Sequence, residues 1–208
     1  MPNTSEALYP SLDALAGGLE KIGRHDPAWW DKMIHMIAQK PAVERVPWLL
    51  ARCKGKVVLH VGCDGPFDGL LRKQTMRCYG IDHTSMLGRP DFFCLDLDTM
   101  GCPLPQKEDV DIVLLAEILE HVINPGALLK RVKAQYDGRD ILITTPNAFA
   151  PQPLLKNWQV MVNEDHTAWF CPQTLRVLIE KCGLVVQDWM YYGEPKPPLS
   201  EGLIFIVS

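Results

Sequence analysis

From Lys56 to the end of the chain, short apolar runs alternate with longer segments whose apolar residues recur every three or four positions. That alternation predicts βαβ units and a mostly parallel sheet. A strand buried on both faces reads as a continuous apolar run, and a helix covering it reads as a periodic one. VVLHV at 57–61 is the first expected strand, followed by CYGID, FFCLD, DIVLLA and DILITT. Helices are expected over about 67–76, 124–136 and 173–182, the last stopped by Gly183 after IEKC. LVVQDWMYYG and GLIFIVS read as strands on either side of the Pro-rich EPKPPLSEG, close enough in sequence to pair antiparallel.

The segment before Lys56 has another rhythm. From Ser11 to about Cys53 the apolar residues keep helical spacing, and in DPAWWDKMIHMIAQ an Asp26 cap and a first-turn Pro27 precede Trp30, Met33, Ile34 and Ile37 on one face. Pro41 and Pro47 punctuate AVERVPWLLARC, which predicts a helix broken or restarted near Trp48. The expected organisation is one domain over 1–208, with an N-terminal helical cap at 1–53 and an α/β core at 54–208.

Composition narrows the class. With 208 residues the chain is long enough for one core, and 47% apolar with 22% charged residues is a globular balance. A net charge of −4 with no run of Lys and Arg argues against a nucleic-acid partner. Seven cysteines with no C-x-x-C pair suggest neither a disulfide framework nor a zinc site, and fit a reducing compartment. MPNTSEALYPSLDAL lacks the pattern of a secretion signal, and no stretch reaches the roughly 18 apolar residues a membrane span needs, so a cytoplasmic location is expected.

The strongest chemical signal is VLHVGCDGPFDGLL, a strand running into a glycine-containing turn and then a helix. Such a turn gathers backbone N–H groups and a helix N-terminus at the carboxyl edge of a sheet, with Gly62, Gly65 and Gly69 where a ligand must come close. The next strand ends in YGID, which puts Asp82 at the same edge, where a carboxylate can accept the ribose hydroxyls of an adenosine cofactor. Asp82 as the cap of the turn HTS is the alternative. Turn and acid together do not separate a nicotinamide dinucleotide from S-adenosylmethionine.

FFCLDLD, EILEHVINP, ITTPNAF and EDHTAWFCPQTLRVLIEKCGL, standing in that order, resemble the class I S-adenosylmethionine-dependent methyltransferases of the small-molecule type over roughly 56–190. The resemblance implies a Rossmann-like three-layer fold whose mostly parallel seven-stranded sheet has an antiparallel last strand. It also implies methyl transfer from S-adenosylmethionine to oxygen, nitrogen or carbon of a small molecule. Gly62 and Gly65 would then face the methionyl part of the cofactor, with Cys63 and Asp64 beside it and Asp82 on the ribose. His83 would flank the adenine, Asp96 and the backbone near Leu97 would meet its amino group, and Ala116 and Glu117 would line the pocket. The chain departs from the family where His60 stands for an acid and where Asp64 and Pro66 stand for glycines. An anionic Asp64 attracts a sulfonium or ammonium charge and repels a pyrophosphate, which favours S-adenosylmethionine over NAD.

His121 and His166 are the candidate general bases, since an imidazole titrating near neutrality can take a proton from a hydroxyl or amine. Each has a structural alternative, His121 packing beneath the pocket and His166 sitting solvated in a loop. Cys63 reads as a buried, inert thiol. Trp29, Trp30, Trp48, Trp158 and Trp169 either line an acceptor pocket or staple helices to the core. No metal is expected, because the acids near the site form no obvious ligand set. A non-catalytic cofactor-binding protein and an NAD-dependent oxidoreductase are the competing functions.

Overall fold

The computed structural model describes residues 40–63, 65–83, 89–99, 110–148, 150, 165–194, 197 and 200–208. The expected helix after Pro27, with Trp29 and Trp30, and Trp158 in the later loop lie outside these residues. In chain order the elements are β1 (Ala42–Val43), α1 (Arg45–Cys53), β2 (Val57–Val61), α2 (Gly65–Gln74), β3 (Arg77–Asp82) and β4 (Phe92–Cys94). β5 (Ile112–Ala116), α3 (Pro125–Tyr136), β6 (Asp140–Pro146), α4 (Pro172–Lys181), β7 (Val186–Tyr192) and β8 (Gly202–Val207) complete the chain.

The sheet order is β1-β7-β8-β6-β5-β2-β3-β4. β8 runs antiparallel to both neighbours, β6 and β7, and the other pairs are parallel. This is the expected Rossmann-like sheet, mostly parallel with β8 antiparallel, with one addition. The two-residue β1 adds an eighth strand from the segment expected to be helical, because Pro41 and Val43 offer carbonyls to the N–H groups of Tyr191 and Gly193. Helix α1 is not broken at Trp48. Pro47 falls in its first turn, where the missing N–H would have had no helical partner anyway.

Burial explains why the central strands form. β5 is buried along its whole length, and so is β2 after its first residue, so both had to be apolar on two faces. Asp111 ties their starts together, its carboxylate accepting the Val57 N–H at 2.9 Å while its own N–H donates to Val57 at 2.8 Å. One face of the sheet packs Val58, Ile112, Leu114 and Leu142 against Leu49 and Cys53 of α1 and Leu71 of α2. The other packs Leu59, Val61, Leu115 and Ile143 against Leu129 and Val132 of α3 and Leu175 and Ile179 of α4. Two helical layers therefore enclose one sheet. Asn124 caps α3 by accepting the Ala127 N–H at 2.9 Å, with Pro125 as first helical residue, and Gly183 ends α4 at φ 83°. Among the described residues no helix is long and apolar enough to cross a membrane.

The strand order reverses between β2 and β5. In such sheets that reversal leaves a crevice outside the carboxyl ends of the two strands, and the loops following them form its walls.

Candidate active site

Gly62 leaves β2 at φ 76°, and a Cβ there would sit 2.9 Å from Ile118 Cδ1 in the turn after β5. Glycine is thus required twice, for the backbone and for the close approach of the two crevice walls. Gly62 and Cys63 N–H both donate to the Ile81 carbonyl, at 2.8 and 3.2 Å, which fixes the turn against the end of β3. Asp64 lies outside the described residues. Gly65 opens α2 at φ 69°, a backbone conformation that favours glycine, with open space where a Cβ would stand. Pro66 is the second residue of α2, where it leaves no hydrogen bond unmade.

Beneath the turn is a buried charge cluster that the sequence did not reveal. His60 Nδ1 lies 3.1 Å from Asp68 Oδ1, and Arg89 donates to Asp68 Oδ2 at 2.9 Å, to the Cys78 carbonyl at 3.1 Å and to Cys63 Sγ at 3.5 Å. Asp68 thus joins α2 to His60 of β2 and to Arg89. Its burial opposes ionisation, but the hydrogen bond from His60 and the Arg89 charge outweigh it and hold the carboxyl below its ordinary range. Gly80 makes the arrangement possible, since a Cβ there would fall 2.5 Å from Cys63 Sγ and 2.6 Å from Arg89 Nη1. Cys63 is buried, and that burial pushes its thiol up to about 12, away from the reactive thiolate.

Asp82 closes β3, buried, with His83 Nδ1 at 3.2 Å on the solvent side. The Asp82 carbonyl accepts the Leu95 N–H at 2.9 Å, which brings the end of β4 alongside. Asp96 turns both oxygens onto its own loop, accepting the Asp98 N–H at 2.9 Å and the Thr99 hydroxyl at 3.0 Å, while Leu97 packs on the core.

Past Ala116, Glu117 takes the left-handed conformation at φ 52°, unusual for a residue with a side chain. One of its oxygens accepts from Thr144 at 2.7 Å and lies 3.3 Å from Arg45, and the other accepts from Tyr192 at 2.9 Å. The Glu117 carboxylate is thus anchored to β6, β7 and α1. One turn on, Glu120 is buried; Oε2 accepts from Thr145 at 3.0 Å, and Oε1 has no hydrogen-bond partner. Burial and the nearby Glu117 charge push its carboxyl up to about 8.

The loop entering α4 is stitched to this turn. Thr167 and Ala168 N–H donate to the Glu120 carbonyl at 2.7 and 3.3 Å, and the Thr167 hydroxyl donates to Val122 at 2.6 Å. That stitching brings His166 edge-on to His121, with ring centroids 4.6 Å apart. Donor atoms of Glu120, His121 and His166 all lie within 4.8 Å of one another. The two histidines singled out from sequence thus meet. Glu120 was missed as a functional residue, although its place three residues after Glu117 in EILEH is the signal that could have found it. Of the candidate tryptophans that are described, Trp48 packs on the α1 face of the core and Trp169 stays exposed.

Residues 34–188 match the model of a family described as a methyltransferase domain. A SAM-dependent methyltransferase from Archaeoglobus fulgidus superposes with a TM-score of 0.64 at 19% identity, covering 78% of this chain and 90% of that one. An S-adenosylmethionine-dependent methyltransferase from Mesorhizobium loti does so at 0.57 and 16%, over 78% and 95%. The small RNA methyltransferase HEN1 gives 0.62 and 16%, over 78% of this chain and 24% of that one. No curated protein is similar in sequence at a significant level. With the family model spanning well over half of the chain, from β1 into β7, the chain belongs to the methyltransferase-domain family and is a methyltransferase, alike in fold to S-adenosylmethionine-dependent enzymes.

Proposed function

We propose that the chain transfers a methyl group from S-adenosylmethionine to an oxygen, nitrogen or carbon of a small-molecule acceptor. The observation that carries this is the meeting, at one sheet edge, of the Gly62–Gly65 turn, the buried Asp82 and the His121–His166 pair. The glycine turn and the buried acid at one sheet edge support an adenosine cofactor. Gly62, Cys63, Asp64 and Gly65 would hold its methionyl part, Asp82 its ribose, His83, Asp96 and Leu97 its adenine, and Ala116 with Glu117 the near wall. When bound, the sulfonium supplies an electrophilic methyl group, so the protein has to orient an acceptor and manage its proton. His121 and His166, half-buried with their rings in contact, would take that proton.

A small acceptor is favoured over RNA by the net charge of −4, which gives no field for a phosphate backbone. The free cysteines among the described residues suit a cytoplasmic setting, and the chain is proposed to form a single domain. Incubation with methyl-labelled S-adenosylmethionine and cell extract tests the acceptor class. Label in the low-mass fraction, lost in His121→Ala/His166→Ala, is expected. Label confined to RNA would establish the competing reading, which the name of HEN1 raises.

A further inference from the structure

Glu120, His121 and His166 have a chemistry that proton transfer alone does not use. Two imidazoles and a carboxylate form a donor set suited to first-row divalent cations, and a site with three protein ligands leaves positions open for substrate. Three features of this chain favour that use. Donor atoms of all three residues already lie within 4.8 Å of one another, where bond lengths near 2.1 Å at a tetrahedral centre need separations of about 3.4 Å, a difference that side-chain torsions can absorb. Glu120 is 2% exposed, and its Oε1, a strong acceptor, is buried without a hydrogen-bond partner. Finally, the residues arrive on two chain segments held together by backbone bonds, Thr167 and Ala168 to the Glu120 carbonyl, so the donor set is organised without the ion.

We propose that Glu120, His121 and His166 bind one divalent first-row cation, with its open positions turned to the crevice and a hydroxyl of the methyl acceptor as the additional ligand. The site departs from the sequence-based expectation of no metal. Its chemical role rests on the methyl-transfer reading. Coordination lowers the pKa of the hydroxyl, whose proton passes to solvent. The oxygen lone pair then forms the C–O bond as the C–S bond breaks, and that electron pair neutralises the sulfonium. The acceptor is accordingly a hydroxyl compound, favoured if a second oxygen lies next to the first and can chelate. His121 and His166 are then ligands and not free bases, and Glu117, whose oxygens are taken by Thr144, Tyr192 and Arg45, shapes the site from outside.

The test uses the full chain stripped with a chelator and titrated with Co2+, followed by visible absorption and calorimetry. One Co2+ per chain is expected, with affinity lowered about tenfold or more in Glu120→Gln, His121→Ala and His166→Ala. Because a variant can misfold, the wild type carries a second readout. Zn2+ should protect His121 and His166, but not exposed His83, from acylation by diethyl pyrocarbonate read by mass spectrometry. Wild-type chain that binds S-adenosylhomocysteine yet takes up no Co2+ and gains no protection overturns the metal site and leaves the methyltransferase reading standing. Co2+ binding unchanged in both histidine variants overturns it as well. Stoichiometric, histidine-dependent Co2+ uptake without S-adenosylhomocysteine binding would uphold the site while removing the proposed role.

Discussion

Gly62 and Asp68 show how single residues constrain this site from opposite directions. At Gly62 the limit is space and backbone angle, so Gly62→Ala should destabilise the fold by about 1–3 kcal/mol in urea titration and weaken S-adenosylhomocysteine binding. At Asp68 it is charge. Asp68→Asn removes the carboxylate that faces buried Arg89 at 2.9 Å and should cost about 3–5 kcal/mol. The wild-type carboxyl has a folded pKa below its unfolded one. Its stabilisation is therefore complete above about pH 4, the unfolded value, and is lost as pH falls through the folded value. Glu120 behaves oppositely. With a folded pKa of about 8, metal-free protein should lose stability as pH rises from about 4.3 to about 8 and level off above it, and Glu120→Gln should remove that slope. Asp68 carried no sequence signal of its role, whereas the spacing of Glu120 from Glu117 in EILEH did carry one. His60 stood out in the sequence, but nothing local says that it meets Asp68 of α2 and, through it, Arg89.

At the scale of elements, the sequence was read most accurately where burial is complete. β2 and β5 are two-sided apolar runs, and their pattern leaves little freedom. β1 was unreadable for the converse reason. Two residues have no periodicity, and only the edge of β7 makes them a strand. Helix α1 bears on the same face of the sheet as α2, so Leu49→Ala, wholly buried, should cost about 2–5 kcal/mol, while Val185→Ala, exposed beyond α4, should change stability by less than about 0.5 kcal/mol. The stitch between the turn after β5 and the loop before α4 has a functional reading. Thr167→Val removes the hydroxyl bonds to Val122 and Glu120 and should lower the methyl-transfer rate by about tenfold or more while leaving S-adenosylhomocysteine affinity within about twofold, measured by steady-state kinetics and calorimetry.

Across the whole molecule, function follows from where the strand order reverses. The β2–β3 side brings the glycine turn and Asp82, and the β5–β6 side brings Glu117, Glu120 and His121, with His166 added by the loop before α4. The motifs could be assigned to one edge from sequence because each lies just past the carboxyl end of an expected parallel strand. The pairing of His121 with His166 could not, since it depends on backbone bonds between segments far apart in the chain. The central claim is that this edge binds S-adenosylmethionine with Asp82 on its ribose. Calorimetric titration of wild type and Asp82→Ala with S-adenosylmethionine, S-adenosylhomocysteine and NAD tests it directly. Both sulfur ligands should bind the wild type, with affinity reduced about tenfold or more by the substitution through loss of charged hydrogen bonds, and NAD should bind more weakly. Absence of binding by either sulfur ligand, or tighter binding of NAD, would contradict the account.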